Sequence, residues 1–333
     1  MLRDVKEALI SVEAATLRRA AIRAIQAPSI HNTQPWKFVL SDEQLEIHLD
    51  PSRRLNVLDP RGRQLVISCG CALMNARVAI SAAGFEPVVE RLPYTGKPNV
   101  LARITVGRSR PAGRSASLDL AIDRRHTNRR AFLGEPVPSS IVAKFMAAVR
   151  EEGAYLVPIT SPEQRSLIDD LTTAASRIEN DDPAYIEEIR NWTTDDPRRR
   201  DGVQSASVPY AGSGAIRNGS SAIRSFDVRG MGWLPSAGHL GPDECLLVLC
   251  APDDEPHGWL KTGEALERLW LELTDFGYWA SPLTQLIEVR GTHDRLRQEL
   301  KLATFPQLLL RVGRAPDAAR TPRRHPFDVI VEV

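Results

Sequence analysis

Apolar and polar positions alternate along the chain in a regular succession of helix-like and strand-like periods, broken once by a long stretch with no period. Over residues 4–27, Leu9, Val12, Leu17, Ala21, Ile22 and Ile25 fall on one loose stripe, which predicts an amphipathic helix. Pro28 ends it, because proline lacks a donor and pushes its predecessor out of helical geometry. Two alternating runs, Trp36 to Leu40 and Leu45 to Leu49, flank Ser41-Asp42-Glu43 and predict a hairpin. Asp59-Pro60 reads as an N-cap followed by proline at the first helical position. The helix it opens runs through Val66, Leu73 and Val78 to an αL stop at Gly84 and is apolar nearly all round, so it belongs in the middle of a domain. Strands are expected at 87–92 and 100–106.

A linker with Pro111 and Gly113 is expected at 108–116. Beyond it the periods predict a short helix at 118–124, an amphipathic helix at 139–152 and a strand at 155–159. Ser161-Pro162-Glu163-Gln164 has capping-box spacing and opens a further helix, with a short one at 183–192. From Thr194 to Asp243 periodicity fails over a length no ordinary loop reaches. Its apolar residues, Val203, Tyr210, Phe226 and Trp233 among them, are too many for a solvated linker and suggest a lid packed over a site. Order resumes with a strand at 245–250, a second long helix at 257–277, a helix at 292–302 and a strand at 307–312. The two long helices each end at a glycine before a proline-containing strand, a weak internal repeat.

Composition narrows the function classes. The 333 residues can bury one large core or two domain-sized ones. Forty-three Lys and Arg against 42 Asp and Glu leave a net charge of +1, which gives nucleic acid or a membrane surface no global attraction, and no nucleic-acid motif is present. Arginines are nevertheless clustered: Arg124-Arg125 with Arg129-Arg130, Arg198-Arg199-Arg200, and Arg320 with Arg323-Arg324. Clusters in a neutral protein suit a small anion such as phosphate, or simply solvated faces. Four cysteines make no disulfide framework at this length. Cys69 and Cys71 point apart on one helix and cannot share a metal; Cys245 and Cys250 sit in an apolar run and read as core. The N-terminal residues form no apolar signal region. Asn75 and Arg77 interrupt the most apolar helix, which favours a buried globular helix over a membrane span. A cytoplasmic protein acting on a small molecule is expected.

Chemistry concentrates in the loop Ala27 to Phe38. Pro28 and Pro35 bracket Ser29, Ile30, His31, Asn32, Thr33 and Gln34, a stiff stretch rich in donors and acceptors. It can recognise a flat, heteroatom-rich ligand, or it can be a connector whose polar side chains satisfy their own backbone. The string resembles the second flavin-contacting motif of the nitroreductase family, Pro-Ser-x-x-Asn-x-Gln-Pro-Trp. Similarity over nearly the whole chain points to the Acg-like branch, in which one chain looks like two nitroreductase halves fused.

That resemblance implies an α+β, nitroreductase-like, FMN-dependent fold. Two pseudo-repeated halves, 1–107 and 117–333 (the second holding the lid 194–243), would share a central sheet flanked by helices, a monomer that mimics a dimer. It implies FMN as cofactor and NADH or NADPH as reductant, with hydride passing through the flavin to a nitroaromatic or quinone-like acceptor. Pro28, Ser29 and Ile30 would lie along the ring, Asn32 and Gln34 would anchor it, and His31 would face the substrate, a weak candidate for proton donor. Arg125-His126-Thr127-Asn128-Arg129-Arg130-x-Phe132 resembles the family's phosphate and ribityl motif, one residue longer, and places Arg125, Thr127, Asn128 and Arg130 on the cofactor. Guanidinium forks bind a phosphate dianion bidentately, which is why arginine suits that place. Ser281-Pro282-Leu283-Thr284-Gln285 stands where the family sets Pro-x-Glu-Gly at the flavin edge, which implicates Pro282, Thr284 and Gln285. Arg323-Arg324-His325-Pro326 resembles the family's closing basic motif, Arg324 matching best. An FMN-sequestering protein without turnover is the alternative, since a lid could cover the flavin.

Overall fold

The computed structural model describes residues 11–110, 113–129, 132–204, 207 and 244–333. Two long helices, α2 (Arg63–Ala82) and α8 (Pro256–Asp275), lie against each other at the centre. They approach so closely because each carries a glycine at the crossing. A Cβ on Gly70 would stand 2.8 Å from the Gly263 Cα and press on the Leu260 carbonyl; one on Gly263 would stand 2.7 Å from the Gly70 Cα and press on the Ile67 carbonyl. The contact is reciprocal, with the same three-residue step on both helices.

Each central helix supports one sheet. The first sheet has the order β11-β1-β2-β4-β3, from β1 (Trp36–Leu40), β2 (Leu45–Leu49), β3 (Phe85–Arg91), β4 (Val100–Ser109) and β11 (Ile330–Glu332). It packs on α2 and on α1 (Val12–Ala24), an amphipathic helix capped by the Ser11 hydroxyl. The second sheet is antiparallel throughout, β5-β8-β10-β9, from β5 (Tyr155–Ile159), β8 (Cys245–Ala251), β9 (Trp279–Leu283) and β10 (Phe305–Gly313). One face meets α8 and α5 (Ser139–Glu151). The other is covered by α6 (Pro162–Asn180), α9 (Gln285–Glu288) and α10 (Arg290–Glu299), whose apolar residues pack on Leu246, Val248 and Leu309. The α+β class stands, but the expected central sheet is replaced by two sheets with the helix pair between them. The reason is the all-round apolar character of α2: buried on every side, it takes the central position.

The hairpin has its expected bounds, and Ser161 and Gln164 make the full capping box that opens α6. Within the expected linker, β4 runs on to Ser109 and α3 (Arg114–Ser117) begins at Arg114, followed by α4 (Asp119–Arg124). Asp59 does not start α2 at the next residue. Pro60 lies in a turn, Gly62 adopts φ +74°, and the Asp59 carboxylate accepts the Leu65 N–H at 3.0 Å from outside the helix. By length and composition α2 could cross a membrane, yet 83% of its most apolar window is buried inside the protein, mainly against α8 and the first sheet.

After α7 (Pro183–Asn191), β6 (Thr193–Thr194) and β7 (Val203–Gln204) form a short parallel pair. Most of the expected lid, 205–206 and 208–243, lies outside the described residues. The chain's end returns to the first sheet: after α11 (Pro326–Val329), β11 pairs parallel with β1, with Phe38 opposite Ile330. This docking uses buried Val329 and the strand ladder, whereas Phe327, counted in the docked apolar run from sequence, is 95% exposed.

Candidate active site

Because β11 lies beside β1, the segment before it is drawn onto the loop that precedes β1. Asn32 Nδ2 donates to the Pro322 carbonyl at 3.2 Å, the Asn32 Oδ1 accepts from Arg323 Nη1 at 3.1 Å, and the Arg324 N–H donates to Gln34 Oε1 at 2.7 Å. The strap 200–204 joins the same place: Asn32 Nδ2 also donates to the Gly202 carbonyl, and Gln34 Nε2 to the Arg200 carbonyl at 2.8 Å. Asn32 and Gln34 therefore hold tail and strap to the loop. Nitrogen and oxygen of the Gln34 side-chain amide are both engaged in this way, and Gln34 does not line the cleft.

The loop itself is strained. His31, Asn32 and Gln34 have φ of +45°, +53° and +51°, a left-handed region that residues with a Cβ rarely adopt. Three such residues within four positions persist only where surrounding structure over-determines them, and such clusters mark functional sites. The bonds to the tail and strap supply that constraint, as does Ser68 on α2, whose hydroxyl accepts the Ile30 N–H at 3.1 Å.

Beside this loop runs a cleft of two arms that share Pro28, Ser29, Thr127 and Arg129. The first arm is mixed: Ile30, Ile67, Leu266, Trp270 and Leu308 form its apolar wall, and His31, Ser68 and Thr284 bring polar groups to it. It encloses about 710 Å³ including space open to solvent. Gln64 and Cys71 of α2 also face it, and the buried Gln64 Nε2 has no hydrogen-bond partner among the described residues. An orphaned donor in an apolar wall is costly unless a ligand accepts from it.

The second arm, about 910 Å³ on the same basis, is polar. Arg125, Arg129, Arg320 and Arg323 line it, opposed by Asp123. Arg125 is buried: its guanidinium stacks on the Trp270 ring at 5.4 Å, donates through Nη2 to the Gln26 carbonyl and lies 3.3 Å from Glu267. Arg323 donates to the Ala27 carbonyl at 3.1 Å and to Thr321 Oγ1 at 2.8 Å. Burial, and then the Arg125 guanidinium beside it, pull Arg323 down to about 9. A buried and a half-buried cation side by side repel each other and are set for an anion.

The structure thus brings Pro28, Ser29, Ile30, His31, Thr127, Pro282 and Thr284 to the cleft, with Arg125, Asn32 and Arg323 on its polar arm. Arg324, the better sequence match, lies elsewhere; its guanidinium donates to the Asp328 carbonyl at 2.9 Å. Asn128 is buried beside the cleft, its N–H bonded to the Ala280 carbonyl and its side chain to the Pro316 carbonyl. Gln285 is buried in α9 and lines neither arm. Arg130 lies outside the described residues. Gln64, Cys71 and Trp270 escape a motif-based search, while Arg129 stands inside the quoted arginine motif and Arg320 in a basic cluster, neither with a site role assigned from the sequence. Polar residues at 64, 68 and 71, on one face of an otherwise apolar helix, were the available signal. No group of His, Cys, Asp and Glu among the described residues could hold a metal, and the four cysteines are unpaired.

Comparison with known proteins gives the family. A Mycobacterium tuberculosis H37Rv protein named "Putative NAD(P)H nitroreductase" is 32% identical over 330 residues, spanning 96% of this chain and 92% of its own. The chain belongs to the NAD(P)H nitroreductase family. The "Putative NAD(P)H nitroreductase acg" of the same organism is 29% identical over 328 residues, covering 95% of each chain. No protein-family model matches the chain. Among solved structures, an FMN-bound nitroreductase from Desulfitobacterium hafniense aligns at a TM-score of 0.39 and 13% identity, covering 64% of this chain and 97% of its own. One from Bacteroides fragilis gives 0.37 and 11%, over 62% and 93%. Likeness at that level is too distant to transfer a ligand.

Proposed function

We propose that the chain is an FMN-dependent oxidoreductase of the cytoplasm. It takes electrons from NADH or NADPH and passes them to a small electron-poor acceptor such as a nitroaromatic or a quinone. The observation that carries this is the two-armed cleft: a slot with one apolar wall and polar groups on its border, joined at Pro28–Ser29 to a chamber lined by four arginines. A flat ring bearing a phosphate on a short polar chain needs those two environments adjoining. Arg125, Arg129, Arg320 and Arg323 would hold the phosphate, each charged hydrogen bond contributing ~1.5–3 kcal/mol. Trp270, Ile30 and Leu266 would exclude water from the ring, and Gln64 would give its orphaned amide to an acceptor on the ring edge. Bound FMN supplies the two-electron chemistry, and the chain supplies position and electrostatics. The names of the relatives support the class of activity.

The purified protein should be yellow, bleach under anaerobic NADPH or NADH, and regain its colour with a nitro compound. A colourless protein with no affinity for FMN would overturn the proposal. A second function is favoured by one observation: the strap 200–204 is bonded to Asn32 and Gln34, with Val203 and Ser207 lining the polar arm. A covered cofactor would make the protein an FMN store. Bound flavin that dithionite reduces but nicotinamide nucleotides do not would select that function.

A further inference from the structure

Behind the polar arm sits a carboxylate that the proposed function does not use. Glu267 of α8 is fully buried, and neither of its oxygens accepts a hydrogen bond of ordinary geometry among the described residues. Four groups face it. Arg125, from the segment after α4, brings its Nε to 3.3 Å of Oε1; Arg323 comes from the C-terminal segment, and Asn75 and Cys71 from α2. Burial holds the Cys71 thiol well above its ordinary range, so it stays neutral, and Asn75 does not titrate. Two guanidinium groups, one buried and one half-buried, therefore face one buried carboxylate. Burial pushes Glu267 up to about 7, even though Arg125 and Arg323 both favour its anion.

Both arginines also line the polar arm. An anion entering there draws on the same cations that keep Glu267 ionised. Arg125, Arg129, Arg320 and Arg323 line the arm whether or not it is filled, so a phosphate dianion entering there adds repulsion toward an ionised Glu267 and favours its protonated form. We propose that Glu267 is the resting counter-charge of the Arg125–Arg323 pair, and that it takes up one proton from solvent, on a carboxylate oxygen, when a phosphate monoester binds. The inference rests on the reading of the cleft as a phosphorylated-flavin site.

The sign follows from linkage. Below about pH 7 Glu267 is already protonated and affinity is insensitive to pH. Above it, each binding event must capture a proton, so affinity falls with rising pH, by at most about tenfold per pH unit for one proton. The phosphate does not mask this, since its second proton leaves near pH 6. Arg323 stays charged up to about pH 8.

The test is titration of the flavin-free protein with FMN, followed by flavin fluorescence at about pH 7 and about pH 8, with riboflavin as the phosphate-free probe. Calorimetry at the higher pH, in two buffers of different ionisation enthalpy, counts protons. The expected results are a several-fold loss of FMN affinity over that unit, nearly one proton taken up, and no slope for riboflavin. Glu267→Gln should bind FMN with a flat profile, at least as tightly as the native protein at the higher pH. A flat native profile without proton uptake overturns the inference and leaves the FMN site standing, as does a slope that survives in Glu267→Gln. Absence of FMN binding at every pH overturns both. The proton count needs only the native protein, so it holds even where the variant fails to fold.

Discussion

Gly70 and Gly263 meet at the crossing of the two central helices with no room for a side chain on either. The groups that a methyl would strike are backbone atoms in the middle of 20-residue helices, which cannot turn aside as a side chain would. Overpacking ordinarily costs about 1–3 kcal/mol, and here the upper end applies. Gly70→Ala or Gly263→Ala should destabilise the protein by about 3 kcal/mol in chemical denaturation. Gly113, whose Cβ position is open and whose φ is extended, is the control that should tolerate alanine.

Arg323 and Arg324 are adjacent and should behave differently. Arg323 lines the polar arm, so Arg323→Ala should weaken FMN by roughly 2 kcal/mol, about thirtyfold, while riboflavin binding changes little. Arg324→Ala, on a side chain directed at the Asp328 carbonyl, should leave the ratio of FMN to riboflavin affinity near its native value. Flavin fluorescence titrations measure both. A larger effect from Arg324 would move the phosphate away from the cleft.

Gln64→Leu separates stability from recognition. It removes a buried amide whose nitrogen has no partner, so the flavin-free protein should be no less stable, and its melting temperature checks this. If Gln64 meets the ring edge, affinity for both FMN and riboflavin should fall by about 1 kcal/mol, roughly fivefold.

The thiols should be inert in the folded state. Burial raises Cys245 and Cys250 to about 11 and Cys71 well above its ordinary value. Since the thiolate is the reactive form, a thiol reagent near pH 8 should label the native protein very slowly and all four cysteines once it is unfolded.

The C-terminal segment offers a paired test. Val329 is 1% exposed and Phe327 95% exposed. Val329→Ala should cost about 1–2 kcal/mol in thermal or chemical unfolding, whereas Phe327→Ala should be neutral within about 0.5 kcal/mol.

Elements whose signals are local were legible in the chain. The β1–β2 hairpin came from strict alternation between turn residues, and α6 from its capping box, both decided within a few positions. The loop at Pro28 and the arginine at 125 were found because their motifs are contiguous. What the sequence could not show depends on residues brought together from afar. Arg323 rather than Arg324 faces the cleft because β11 pairs with β1 in one register, and no local property of two neighbouring arginines reveals that register. The left-handed backbone at His31, Asn32 and Gln34 is imposed by the tail and the strap, so propensity cannot announce it. Trp270 and Gln64 were hidden for another reason: in helices buried on all sides, a wall residue and a core residue have the same composition.

The parallel pairing of the last strand with the first has a consequence for biosynthesis. Chains emerge N-terminus first at about 5–20 residues per second, so the Pro28 turn precedes Arg323 by roughly 15–60 s. Throughout that interval the nascent polypeptide has the Pro28 turn but neither the outermost strand of the first sheet nor the guanidinium that follows Pro322. A chain truncated before Pro322 lacks both the strand that pairs with β1 and the Arg323 side chain of the polar arm, and should not retain FMN.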